Sequence, residues 1–256
     1  MTTESGTSKP NQPMITDKVK ILCLHGYRQN GDSFKSKIGS FRKYASKYAE
    51  FVFVDAPHTA PPLPDATEAD PKEKSWWFNK EDGTFKGTNK AGPAFGFDES
   101  LKIVEEVWST QGPFQGILGF SQGACFAGII CGLAQRRETI IKPEFAIIAA
   151  GFKSGSLVHK KFYQEQIEIP SLHVYGKTDD IIPGEMSEAL QSVFVDSESL
   201  IHDGGHYFAA TSSCKTQYIT FFQDCLQRYL EKKELLENQN GILVNGEEGD
   251  DDDDSD

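Results

Sequence analysis

Short apolar runs alternate along the chain with segments of helical periodicity. A run of four to eight apolar residues bounded by turn residues is typical of a buried strand, whereas apolar residues three and four positions apart indicate a helix with one buried face. The runs predict strands at residues 19–25, 50–55, 116–120, 145–150, 171–175 and 199–202. The spacing predicts helices at residues 34–48, 97–109, 122–133, 185–194 and 213–235.

This alternation is typical of the α/β class, with a mostly parallel central sheet and helices on both faces. Residues 56–97 interrupt it: five prolines precede Trp76, Trp77 and Phe78, and no periodicity is present. Because structureless loops of this length are uncommon, we interpret the segment as an excursion over a functional site or an insertion.

Charge is concentrated at one end of the chain. The 256 residues carry a net charge of −12, but residues 241–256 alone hold eight acidic and no basic residues. Such a run repels itself and has little apolar surface, so we predict disordered termini at residues 1–17 and 238–256 around one domain at residues 18–237. The tail is alternatively a contact for a basic protein partner. An acidic chain without clustered lysine and arginine is not expected to bind nucleic acid.

Targeting and metal-binding patterns are absent from the sequence. The first 17 residues are polar and no apolar run has the length of a membrane helix, so we expect a cytoplasmic protein without an integral membrane segment. The five cysteines form no C-x-x-C pair, which favours reduced thiols. H-E-x-x-H and the glycine-rich phosphate loops are also missing, and we expect neither a metal nor another cofactor.

Gly119-Phe120-Ser121-Gln122-Gly123 matches the pattern G-x-S-x-G between a predicted strand and a predicted helix. In that setting the serine occupies a sharp, strained turn, and the flanking glycines let neighbouring backbone approach closely. Ser121 is therefore the candidate nucleophile, and the alternative is a glycine turn with an incidental serine.

A serine nucleophile needs a base, and the base needs an orienting carboxylate. Asp179 follows the strand at residues 171–175, and His206 lies in a glycine-rich turn after the next strand, which is the chain order of α/β-hydrolases. Asp180 is the competing carboxylate. His202 is the alternative base, less expected because it lies within a strand.

The oxyanion of an acyl-transfer intermediate needs preorganised donors. We assign the backbone N–H groups of Gln122, directly after the nucleophile, and of Tyr27, in the loop after the first strand. His25, at the end of that strand, is expected to brace the turn by hydrogen bonding. Trp76, Trp77 and Phe78 either line an acyl pocket or seal the core beneath the excursion.

Seven motifs along the chain resemble the FSH serine hydrolase family: LHGYRQNG, DAPH, SWWF, GFDESL, GFSQG, GKTDDIIP and GGH. They occur in order between about Lys20 and Leu230. The resemblance implies an α/β-hydrolase fold, esterase activity on acyl esters, and a catalytic triad of Ser121, Asp179 and His206.

These observations predict a serine hydrolase that cleaves carboxylic esters of hydrophobic acyl chains, with a small-molecule or acyl ester as substrate. A thioesterase acting on acylated protein or an acyl carrier would use the same residues. A non-catalytic binding module that acts through the acidic tail is the alternative outside enzymes.

Overall fold

The computed structural model describes residues 17–245, with side chains described up to residue 239. Residues 1–16 and 246–256, which make up most of the two termini predicted to be disordered, lie outside the described residues. The prediction that the acidic tail contacts a basic partner also concerns residues outside this range. The described strands are β1 (Val19–Leu24), β2 (Ala49–Val54), β3 (His58–Thr59), β4 (Lys74–Ser75), β5 (Gly116–Phe120), β6 (Phe145–Ala149), β7 (Ser171–Gly176) and β8 (Ser197–His202).

Six of these strands form one parallel sheet in the order β2-β1-β5-β6-β7-β8. All six correspond to predicted strands, and the predicted parallel α/β architecture is confirmed. The helices are α1 (Gly31–Lys37), α2 (Gly39–Ala45), α3 (Phe97–Gln111), α4 (Gln122–Gln135), α5 (Gly184–Gln191) and α6 (Lys215–Asn245), with 3₁₀ helices at Leu157–Tyr163 and Ser212–Cys214.

The sheet separates two apolar cores because successive side chains of a strand point to opposite faces. Leu22 and Leu24 of β1 belong to a core that is completed by α3, α4 and α5. Ile21 and Cys23 face the other core, which is completed by α1, α2 and α6. The four central strands, β1, β5, β6 and β7, are buried on both faces and have nearly continuous apolar sequences, which explains why the sequence pattern located them.

The prediction of one helix at residues 34–48 was wrong, since α1 and α2 are separate. Asn30 starts α1 early: its side chain accepts the Ser33 N–H at 2.8 Å, and Ser33 Oγ accepts the Asn30 N–H at 3.0 Å. The helix breaks at Ile38, where ψ is 22°. Phe34 and Phe41 are buried on either side of the break, so the apolar spacing continues through it.

Residues 55–96 connect β2 to α3 and form the predicted excursion. Part of it is an antiparallel ladder of β3 and β4, which the sequence pattern did not predict because each strand has only two residues. The ladder leads directly into Trp76 and Trp77, whose side chains are completely buried. The excursion is thereby tied to the same core as α3 and α4.

Among residues 17–245, no helix combines the length and the apolar character needed to cross a lipid bilayer. All five cysteines are buried free thiols. Within the same residues no group of three or more His, Cys, Asp and Glu side chains is arranged to hold a metal ion.

Candidate active site

The turn between β5 and α4 holds Ser121 in a strained backbone conformation, with φ 53° and ψ −113°. Positive φ is costly for a residue with a Cβ, and it persists here because the surroundings leave the turn no room to relax. A Cβ on Gly119 would lie 2.2 Å from the carbonyl oxygen of Gly123, and one on Gly123 would lie 2.1 Å from that of Leu24. Both glycines of the motif are therefore required by close backbone approach.

His206 and Asp179 complete a hydrogen-bonded chain with this serine. His206 Nδ1 lies 2.8 Å from Asp179 Oδ2, and His206 Nε2 lies 2.9 Å from Ser121 Oγ. Because a carboxylate only accepts hydrogen bonds, the proton lies on Nδ1, and Nε2 is free to accept the serine hydroxyl proton. The structure thus brings together three residues that are far apart in sequence, in the order expected for a nucleophile, a base and an orienting acid.

The second oxygen of Asp179 is also engaged. Asp179 Oδ1 accepts the backbone N–H groups of Ile181 at 3.0 Å and Ile182 at 2.8 Å, and the side chain is only 1% exposed. The carboxylate is thereby fixed in rotation and aimed at His206. Asp180, the competing candidate, is exposed, and it has no hydrogen bond to His206 in the part of the chain described.

His202, the alternative base, is engaged elsewhere. Its Nδ1 accepts the backbone N–H of Gly204 at 3.2 Å, and its ring packs against Tyr207 with centroids 4.8 Å apart. Burial lowers the pKa of His202 from its ordinary value. The structure joins His206, and not His202, to Ser121.

The two segments assigned to the oxyanion donors both adjoin Ser121: Tyr27 lines the same pocket as the serine, and Gln122 is the next residue along the chain. Gln122 is the first residue of α4, and Tyr27 follows β1. The Gln122 side chain is buried: it accepts the Trp76 N–H at 3.0 Å and donates to the Trp77 carbonyl at 2.8 Å. Its backbone N–H, rather than its amide group, is therefore the group that can serve an oxyanion.

His25 braces the first segment, as predicted. Its Nδ1 donates to the carbonyl of Gly26 at 2.8 Å, and its Nε2 accepts the backbone N–H of Ala56 at 3.0 Å. Burial lowers the pKa of His25 to about 4, so the ring is neutral near neutral pH and one nitrogen can accept.

A pocket of about 370 Å³ opens directly at Ser121. Its lining residues are Tyr27, Phe85, Lys86, Gly87, Thr88, Ser121, Asp180, Ile181 and Ile182. Sequence reasoning missed Phe85, Ile181 and Ile182 as pocket residues. The pair of isoleucines directly after Asp179 and Asp180 was a usable signal, because residues next to a catalytic loop share its edge of the sheet.

Trp76, Trp77 and Phe78 do not line this pocket, and that prediction is corrected. Trp76 and Trp77 have no exposed surface, and both pack against Phe126 of α4. Phe78 pairs through its backbone with Phe95. The alternative interpretation, that the aromatic residues seal the core beneath the excursion, holds for Trp76 and Trp77, which belong to the core shared with α3 and α4, whereas Phe78 is only half-buried.

A parallel sheet with a strained serine turn, and a histidine and a buried acid on the following loops, defines the class of α/β-hydrolases. The model of the family described as "Serine hydrolase (FSH1)" matches residues 14–218, and the chain belongs to this family. The predicted enzyme class and family are thereby confirmed.

Relatives and solved structures agree with this assignment. The chain is 62% identical over 239 residues to "Esterase CG5412" of Drosophila melanogaster, covering 93% of this chain and 86% of that protein. It is 34% identical over 215 residues to "Esterase OVCA2" of Homo sapiens, covering 79% and 95% respectively. The crystal structure of Zea mays acyl-protein thioesterase 2 has a TM-score of 0.58 at 18% identity, covers 84% of this chain and 97% of its own, and shares the fold.

Proposed function

We propose that this serine hydrolase cleaves carboxylic esters with hydrophobic acyl chains through an acyl-enzyme formed on Ser121. One observation carries the proposal: the hydrogen-bonded chain from Asp179 through His206 to Ser121 ends at the opening of a largely apolar pocket. The esterases among its relatives support the same reaction.

In the acylation step, Ser121 Oγ attacks the ester carbonyl carbon while His206 Nε2 takes the hydroxyl proton. The resulting tetrahedral intermediate collapses, the bond to the alcohol oxygen breaks, and His206 returns the proton to the leaving alcohol. Water then attacks the carbonyl carbon of the acyl-enzyme, and His206 Nε2 takes a proton from the water, as it did from Ser121 in the first step. The second collapse releases the carboxylic acid and restores the Ser121 hydroxyl.

Asp179 stabilises the imidazolium that forms in both steps. Its side chain is almost completely buried and keeps one oxygen for His206. The backbone N–H groups of Ile181 and Ile182 bind the other oxygen and hold the carboxylate in the orientation that faces His206. The backbone N–H groups of Gln122 and Tyr27 are proposed to bind the oxyanion.

The acyl chain is proposed to lie against Tyr27, Phe85, Ile181 and Ile182, which supply most of the apolar surface of the pocket. Burying one methylene is worth about 0.8 kcal/mol, a factor of roughly four in binding. A pocket of about 370 Å³ therefore favours acyl groups longer than acetyl.

A fluorophosphonate probe should label the wild-type chain at one serine, and peptide mapping should place the label on Ser121. The reason is that only a serine activated by a base attacks the phosphorus readily. Ser121→Ala should abolish labelling while leaving the thermal melting temperature close to wild type. A folded wild-type chain that does not label would contradict the proposed activity and favour a binding module.

The specificity constant kcat/KM should rise severalfold from p-nitrophenyl acetate to longer acyl esters until the pocket is filled. Ile181→Asn should flatten this dependence, because Ile181 lines the pocket and is 55% exposed, so the fold tolerates the change. Ile201→Asn is the matched control, since Ile201 is 47% exposed on β8 and is not among the pocket residues described. Equal flattening by both variants would contradict the assignment of the acyl site.

The thioesterase alternative is tested with the same acyl chain in an oxygen ester and a thioester. Both would pass through the same acyl-enzyme, so a common deacylation rate with different acylation rates is expected. A large preference for the thioester in acylation would assign the protein to thioester substrates.

A further inference from the structure

We infer that the side chains of Trp76 and Gln122 form a buried brace that holds the two oxyanion-donor segments at a set separation. The inference rests on the proposed function, because it concerns how the transition state of that reaction is stabilised. Neither side chain lines the pocket, so both side chains act by positioning the donor segments, although the backbone N–H of Gln122 is itself a proposed oxyanion donor.

Trp76 contacts both donor segments at once. Its indole Nε1 donates to the carbonyl of His25 at 2.8 Å, immediately before Gly26 and Tyr27. Its backbone N–H donates to Gln122 Oε1 at 3.0 Å. The indole also packs against the imidazole of His25, with ring centroids 5.0 Å apart.

Gln122 closes the connection from the other side. Its Nε2 donates to the carbonyl of Trp77 at 2.8 Å and also reaches Ser75 Oγ at 3.2 Å. The residue whose backbone N–H is proposed to bind the oxyanion is thus tied through its side chain to the segment that carries Trp76. All of these groups are completely buried, so water does not compete for the hydrogen bonds.

The two segments also touch directly. A Cβ on Gly123 would lie 2.1 Å from the carbonyl oxygen of Leu24 and 2.5 Å from that of His25, so the start of α4 is pressed against the end of β1. Close packing limits how near the segments come, and the brace limits how far they separate. Together these contacts define the gap between the backbone N–H groups of Tyr27 and Gln122.

A small change in this gap should affect catalysis far more than substrate binding. Oxyanion donors act on charge that develops only in the transition state, so misplacing them lowers kcat with little change in KM. Displacement of a positioned group by about 1 Å can cost about a hundredfold in rate. Loss of one hydrogen bond of the brace, with the packing retained, should cost about tenfold.

The chain offers a matched control in the neighbouring tryptophan. Trp77 is as completely buried as Trp76, but its indole Nε1 has no hydrogen-bond partner among the side chains and backbone described. Trp76→Phe and Trp77→Phe therefore remove the same atoms from the same core. The peptide carbonyl of residue 77, which Gln122 binds, is unchanged in Trp77→Phe.

The test compares wild type, Trp76→Phe, Trp77→Phe and Gln122→Met, using kcat and KM for p-nitrophenyl butyrate. It also measures the melting temperature and the inhibition constant of a trifluoromethyl ketone. Ser121 Oγ adds to the carbon of this ketone, and the former carbonyl oxygen of the hemiketal adduct carries the oxyanion charge. We expect Trp76→Phe and Gln122→Met to lower kcat by about tenfold and to raise the inhibition constant of the ketone by a similar factor. The KM should stay within about twofold of the wild-type value. Trp77→Phe should lower the melting temperature by less than Trp76→Phe, since it removes no hydrogen bond, and should leave kcat within about twofold.

Equal losses of kcat in the two tryptophan variants would overturn the brace, because lost packing, which both variants share, would then explain the whole effect. Folded Trp76→Phe or Gln122→Met with wild-type kcat would also overturn it. If a tryptophan variant fails to fold, Gln122→Met alone decides between the outcomes. A loss of kcat and of ketone affinity that is much larger than the change in KM supports the brace, and equal changes in all three contradict it. Fluorophosphonate labelling of wild type separates the two proposals, because an unlabelled wild type contradicts the proposed function rather than the brace.

Discussion

Replacing Ser121 with alanine is expected to lower kcat/KM for p-nitrophenyl esters by at least about a thousandfold. The change removes the atom that attacks the carbonyl, and it leaves His206 without the hydroxyl that it activates. Because the residue at this turn has φ 53°, alanine experiences the same backbone strain as serine, and the fold should be retained. The measurement is steady-state hydrolysis, with the melting temperature as a check on folding.

Ser154→Ala is the matched control for this experiment. Ser154 Oγ lies 2.8 Å from His159 Nδ1, and this is one of two further buried serine–histidine hydrogen bonds among the described residues, the other joining Ser171 and His173. No carboxylate orients this histidine, because His159 Nε2 is without a hydrogen-bond partner in the described residues. Burial lowers the pKa of His159 to about 4. Activity should therefore survive in Ser154→Ala. Comparable losses in both variants, or an active Ser121→Ala enzyme, would contradict the role of Ser121.

The sequence predicted the elements that place the site better than it predicted the walls of the site. Buried parallel strands are apolar throughout, and the loops after β5, β7 and β8 necessarily meet at one edge of the sheet. Because these strands run parallel, Ser121, Asp179 and His206 are expected at the same edge of the sheet, whereas the hydrogen bonds between them depend on the loop conformations, which the sequence pattern does not specify. The domain boundaries at residues 18 and 237 and the cytoplasmic location stay predictions.

The pocket could not be predicted in the same way because it depends on which side of a long loop an aromatic residue faces. Trp76 and Phe85 both lie in the excursion between β2 and α3. Trp76 is buried beneath the excursion, whereas Phe85 lines the pocket and packs on Trp77. Without a regular period there is no face to assign, so only the tertiary contacts distinguish the two roles.

The choice between Asp179 and Asp180 illustrates a different limit of sequence reasoning. An aspartate at this position has two ordinary roles, as a turn residue that binds nearby backbone and as an orienting acid. The hydrogen bonds of Asp179 are compatible with both roles: Oδ1 accepts the N–H groups of Ile181 and Ile182, and Oδ2 accepts His206 Nδ1–H. The separate oxygens of one carboxylate can therefore make the contacts of a turn residue and of an orienting acid at the same time.

Asp179→Asn is expected to lower kcat by about four orders of magnitude, the cost measured for the same change in a serine protease triad. The asparagine can keep its carbonyl oxygen on the N–H groups of Ile181 and Ile182, which leaves its NH₂ group facing His206 Nδ1. That group donates, so His206 must place its own proton on Nε2. The base then has no lone pair for the proton of Ser121.

Asp180→Asn is the control for this prediction, because it makes the same chemical change one residue away. Asp180 is exposed at the rim of the pocket, so its substitution can alter KM through contacts with substrate, while kcat should fall by less than about tenfold. Steady-state kinetics separate these effects, and the melting temperature of Asp179→Asn shows whether the acid loop still folds. A loss of kcat in Asp180→Asn as large as in Asp179→Asn would show that the acid has been assigned to the wrong residue. Near wild-type kcat in a folded Asp179→Asn variant would show that His206 needs no carboxylate to act as the base.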